Sequence, residues 1–142
     1  MIGLPKVSLQ LDRNKEIRSC LEVLAMECDI PVALVTVLGE RLSYVKSGCG
    51  FPARVSDTFM PFLSRTDAEL YMLYDIQQPE AGQVTKEGAL PACTKFYAGL
   101  PLITSNKLFM GSLCVMDARS RILSAEQQEL LAAIADRILS LL

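Results

Sequence analysis

Apolar residues recur at steps of three and four between Asp12 and Cys28, through Ile17, Cys20, Leu21, Leu24, Ala25 and Cys28, while Arg13, Lys15, Arg18 and Glu22 fall elsewhere on the wheel. The spacing predicts an amphipathic helix with Asp12 as its N-cap. Pro31 to Leu38 is a short β-branched run without polar alternation, which predicts a strand covered on both faces. Gly39-Glu40 supplies a turn, and Arg41 to Ser47 alternates Leu42, Tyr44 and Lys46 against Ser43 and Val45, so the two strands are expected to form a hairpin. Beyond Gly48-Cys49-Gly50-Phe51-Pro52, Ser56-Asp57 is placed to cap a short helix through Phe59, Phe62 and Leu63. Glu69 to Asp75 reads as a strand, and Ile76 to Cys93 has no clear period and is expected to be a long loop. Lys95 to Thr104 and Leu108 to Met116 are strands joined by Ser105-Asn106-Lys107, and Ser124-Ala125-Glu126-Gln127 is a capping box opening a final helix.

Hairpin-joined strands with a helix at each end of the series predict an α+β fold. We expect an antiparallel sheet of five or six strands with the N- and C-terminal helices on one face. At 142 residues the chain is expected to be a single domain, with its core over about 12–142. In the last helix Leu130, Leu131, Ile134, Ala135, Ile138, Leu139, Leu141 and Leu142 occupy an arc of about 180°, wider than the roughly 100° stripe that covering one sheet requires. Val23 and Met26 also lie outside the main stripe of the first helix, so a homodimer through the terminal helices is expected.

Composition removes whole classes of chemistry. There is no histidine, which excludes Ser-His-Asp and Cys-His catalysis, His-ligated zinc or haem and an imidazole switch. Cys20, Cys28, Cys49, Cys93 and Cys114 form no C-x-x-C pair and leave an odd count, which suits a reducing, cytoplasmic setting. Fourteen basic against sixteen acidic residues leave a net charge of −2 without a basic cluster, so no nucleic-acid partner is expected. Charges or prolines interrupt every long apolar run, so neither a membrane span nor an export signal is expected. Paired catalytic carboxylates, Gly-rich phosphate loops and metal-ligand spacings do not occur, and no catalytic residue, metal site or cofactor is assigned.

Phe96-Tyr97-Ala98-Gly99-Leu100-Pro101-Leu102 and Gly111-Ser112-Leu113-Cys114-Val115-Met116-Asp117 resemble the paired strands that mark GAF domains. Cys28 to Val35, Ser56-Asp57-Thr58-Phe59, Tyr74-Asp75 and Arg121 to Gln127 add matches in the family's order, extending the resemblance over about residues 15–140. The resemblance implies a six-stranded antiparallel sheet, helices on one face, and a pocket on the other beneath a short helix and loops. It also implies a sensory or regulatory role, in a bacterial signal-transduction protein, with an output domain or a partner protein. Two departures bear on chemistry. Phe59-Met60 stands where many sensory members carry Phe-Cys, and without histidine the Cys-His pair of most bilin-binding relatives is missing. The cysteine set of the family's methionine sulfoxide reductases does not align onto Cys49, Cys93 and Cys114.

The candidate ligand-binding residues are Tyr97, Asp75, Phe59, Tyr44 and Ser112. Phe96, Ala98, Leu100 and Leu102 form a dry parity suited to the helices, and Tyr97, Gly99 and Pro101 form the other, which serves either a pocket or close packing. Asp75 ends its strand where its carboxylate meets either a ligand or the loop's own N–H groups. Phe59 offers an apolar wall. Three functions remain open: a small-molecule sensor, a ligand-free dimerisation module, and a thiol-dependent enzyme using Cys49, whose glycine neighbours favour exposure.

Overall fold

The computed structural model of the chain describes residues 6–37, 40–46, 70–73, 84–85, 88–89 and 94–142. The short helix expected from Ser56, with Phe59, and also Cys49, Asp75 and Cys93 lie outside these residues.

Helix α1 (Lys6–Cys28) starts at Lys6 rather than at Asp12, which is exposed within it. Leu9, Gln10 and Leu11 are good helix formers, and an interior Asp costs only about 0.7 kcal/mol relative to Ala, so nothing stops the helix from running on toward Pro5. Its far end is a Schellman turn. Ile30 N–H donates to Ala25 C=O at 2.9 Å, Asp29 N–H donates to Met26 C=O at 3.3 Å, and Asp29 takes the left-handed conformation at φ 53°.

Strands β1 (Val32–Val37), β2 (Glu40–Val45), β3 (Tyr71–Leu73), β6 (Phe96–Ile103) and β7 (Phe109–Asp117) form a five-stranded sheet in the order β2-β1-β7-β6-β3, antiparallel throughout. The segment expected to be a long loop contains a small separate ladder, β4 (Val84–Thr85) with β5 (Gly88–Ala89). Two residues on each strand are too few to leave a periodic signature. The β6–β7 connection runs through Ser105, Asn106 and Lys107, with Lys107 left-handed at φ 70° and its N–H donating to Thr104 C=O at 2.9 Å. A turn ending in a left-handed residue is a common form of short hairpin loop.

Gly111 locks β7 against β1. It has φ +148°, and a Cβ there would sit 1.7 Å from the Thr36 carbonyl oxygen, so no side chain fits without moving backbone.

Helix α2 (Ala125–Ser140) opens with the expected box: Gln127 N–H donates to Ser124 Oγ at 3.1 Å, and Ser124 N–H donates to Gln127 Oε1 at 2.9 Å. Both helices lie on one sheet face. Ile17, Leu21, Leu24 and Ala25 of α1 and Leu131, Ile134, Ala135 and Ile138 of α2 share a buried core with Ala33, Val35, Leu42, Phe96, Ala98, Leu102, Leu113 and Val115. Leu130, Leu139, Leu141 and Leu142 pack partly against the same core, and Ile138 is wholly buried. The broad apolar arc of α2 is therefore largely occupied within the chain, whereas Val23 and Met26 of α1 are 47% and 66% exposed. No described helix is long and apolar enough to cross a membrane.

Candidate functional site

Strand alternation and register assemble the face opposite the helices. Val32, Leu34 and Thr36 of β1 pair with Met116, Cys114 and Ser112 of β7, and these pair in turn with Tyr97, Gly99 and Pro101 of β6. On the outer side Val45, Ser43 and Arg41 of β2 continue the same three rows. The rows grade from apolar (Val32, Met116 and the Tyr97 ring) to polar (Arg41, Thr36 and Ser112). Val32, Leu34, Tyr97, Ser112, Cys114 and Met116 are all fully buried.

The Thr36 and Ser112 hydroxyls lie 3.2 Å apart and hydrogen-bond across the strands. In the next row full burial pushes the Cys114 thiol strongly upward in pKa, opposed by the positive charge of Arg41 and by a hydrogen bond with Tyr97. Cys114 is therefore a neutral thiol, suited to packing and weak hydrogen bonding rather than nucleophilic attack. Burial also raises Cys28, against the charge of Arg121, and Cys20, against that of Arg137.

The structure thus brings Tyr97 and Ser112 of the expected site together on one face. It does not bring Tyr44 to them. Tyr44 pairs with Ala33 and packs against the helix-side core, on the opposite surface of the sheet. Phe59 and Asp75 lie outside the described residues. Sequence reasoning passed over Thr36, although it is the one polar residue in the Pro31–Leu38 run and shares parity with Val32 and Leu34.

A second set of polar groups joins the ends of three elements. The Asp117 carboxylate, 2% exposed at the end of β7, holds Arg119 and Arg121, each at 3.2 Å. Arg121 donates to the Cys28 and Asp29 carbonyls at 2.7 and 2.6 Å, and Arg119 donates to the Asp29 carbonyl at 3.1 Å. These carbonyls belong to the terminus of α1, whose last turn contains no basic residue of its own, so the two guanidiniums supply the donors and the positive charge a helix C-terminus favours. Beside this clasp a cavity of about 700 Å³ opens between the last turns of α1 and the end of β2. Among the described residues no cluster of three potential metal ligands occurs.

No family sequence model and no curated protein sequence matches the chain. Solved structures do match in fold. The blue-light-absorbing form of the PixJ GAF domain from Thermosynechococcus elongatus superposes with a TM-score of 0.69 at 15% identity, over 97% of this chain and 89% of that one. The GAF domain of a phosphoenolpyruvate-protein phosphotransferase from Acinetobacter gives 0.61 at 16% identity, over 97% and 93%. A type II free methionine-R-sulfoxide reductase from Thermoplasma acidophilum gives 0.67 at 14% identity, over 94% of each chain. The chain has the GAF-domain fold.

Proposed function

We propose that this chain is a sensory or regulatory module that holds a small molecule against the sheet face formed by Tyr97, Ser112, Thr36 and Cys114, and that passes its occupancy to the terminal helices. The observation carrying this reading is the buried hydroxyl, thiol and phenol set on the face away from the helices. A face meant only for packing is most cheaply built from apolar side chains, because each buried polar group must keep a partner. The reading also draws on relatives of the same fold, one of which absorbs blue light and another of which is part of a phosphotransferase. A bilin is a poor candidate here, since this chain contains no histidine to follow an attaching cysteine. Reductase chemistry of the Thermoplasma kind finds no support in Cys20, Cys28 or Cys114, all held toward the neutral thiol. We place the module in the cytoplasm, acting as a homodimer through its terminal helices, with an output domain or partner protein reading the change.

Native mass spectrometry of freshly purified protein tests the sensor. A retained small molecule is expected, and its loss on Ser112→Ala together with Tyr97→Phe would locate it. A bare polypeptide mass, with no thermal shift across a metabolite library, would overturn the reading in favour of a ligand-free dimerisation module. The complete burial of Met116, a flexible gap-filling side chain on the same face, favours that second reading.

A further inference from the structure

The cavity beside the α1 terminus lies on the helix side of the sheet, away from the face assigned to the sensor ligand. One wall is the last turns of α1 with Glu22, Ala25, Met26 and Asp29, the other is Tyr44 and Lys46 of β2 and its end, and Ile30, Pro31 and the Asp117–Arg119 segment close the base. Its volume of about 700 Å³ is within the range of small-molecule sites.

The charges there are not equivalent. Asp117 is committed to Arg119 and Arg121, and Arg119 also reaches the Asp29 carboxylate at 3.7 Å. Lys46 and Glu22 stand apart from that set. Both are exposed, and among the described residues neither the ammonium nor the carboxylate has an ion-pair partner, including each other. Among the described residues the cavity therefore presents one uncommitted cation and one uncommitted anion, held apart on opposite walls. Between them lies apolar surface: Met26, two-thirds exposed, with Ala25, Ile30, Pro31 and the Tyr44 ring. An isolated anion would satisfy Lys46 and be repelled by Glu22, and an isolated amine the reverse. A ligand carrying both charges meets both walls, and an apolar body would cover Met26.

We infer that this cavity binds a small zwitterion with an apolar side chain, the chemistry of a free aliphatic α-amino acid, with its carboxylate toward Lys46 and its amine toward Glu22. The test is calorimetry and methyl NMR on the full chain with L-leucine as probe, beside 4-methylpentanoate, which lacks the amine, and 3-methylbutylamine, which lacks the carboxylate. Expected are saturable leucine binding, a shift of the Met26 methyl, and a loss of roughly tenfold or more in affinity for either half-analogue and for Lys46→Met or Glu22→Gln. Both substitutions are at exposed positions, so an unchanged thermal unfolding midpoint certifies the fold. If leucine gives no saturable Met26 shift at millimolar concentration, or if either half-analogue binds as well as leucine, the inference is overturned. A shift of the Met116 methyl with Met26 unmoved would overturn it too, while supporting the sensor face.

Discussion

The two faces of the sheet are built to different rules. On the helix side Ala33, Val35, Ala98, Leu102, Leu113 and Val115 meet α1 and α2 in an apolar layer that has no hydrogen bonds to satisfy. On the other side Ser112, Cys114 and Tyr97 are equally buried, with Thr36 half-buried beside them, yet these residues carry hydroxyl, thiol and phenol groups. Area alone stabilises the first face, while the second also depends on pairing, since a buried polar group left without a partner costs about 1–3 kcal/mol. The helix-side layer is thus tolerant of sequence as long as volume is kept, and the other face is specific about atoms.

The sharpest way to break this contrast is at Gly111, where the faces share one backbone contact. Gly111→Ala forces a Cβ against the Thr36 carbonyl and is expected to cost about 4 kcal/mol or more, read by urea unfolding, disordering both faces together. Leu131→Ala removes a fully buried side chain from the helix side alone, and a loss of about 2–5 kcal/mol is expected by the same measurement. On the polar face Thr36→Val is expected to cost about 1 kcal/mol by removing one hydrogen bond to Ser112, and Thr36→Val with Ser112→Ala less than the sum of the two single changes. Strict additivity in that cycle would mean that the hydroxyl pair contributes nothing.

The smallest effect is in pH. The folded state raises the Cys114 pKa above its ordinary value of 9.0, so folding favours the protonated thiol. The unfolded chain then binds fewer protons above pH 9, and stability is full below that pH and falls as pH rises. For this one group the loss is about 0.8 kcal/mol half a pH unit above the ordinary value. Cys114→Ala should flatten the decline, leaving, among the described cysteines, the smaller parts due to Cys20 and Cys28; an unchanged slope would place Cys114 in contact with solvent.

The helix-side layer was the legible part of the sequence because it rests on periodicity. Phe96, Ala98 and Leu102 alternate strictly, Ser124 and Gln127 cap within one turn, and Ser105-Asn106-Lys107 closes a hairpin locally. Tyr44 was misassigned to the other face because β2 offers two plausible parities, Leu42 with Tyr44 and Ser43 with Val45, and only pairing with β1 decides between them. The clasp was half legible. Asp117, Arg119 and Arg121 stand two residues apart, but the carbonyls they meet, those of Cys28 and Asp29, lie some ninety residues away in sequence. The Lys46–Glu22 cavity left no local signal, since it exists only where α1 ends above β2.

That clasp gives α1 a fulcrum. At its C-terminal end the helix is fastened by a Schellman turn and two arginines to the strand that carries Ser112, Cys114 and Met116, whereas further along, among the described residues, its hydrogen bond to β2 is the one from Asn14 to Glu40 at 3.1 Å. A helix of 23 residues is about 34 Å long, so a tilt of only about 5° at the fastened end displaces the other by about 3 Å. Displacements too small to disturb the packing around Asp117 become, at the start of the helix, as large as the gap between one side chain and the next.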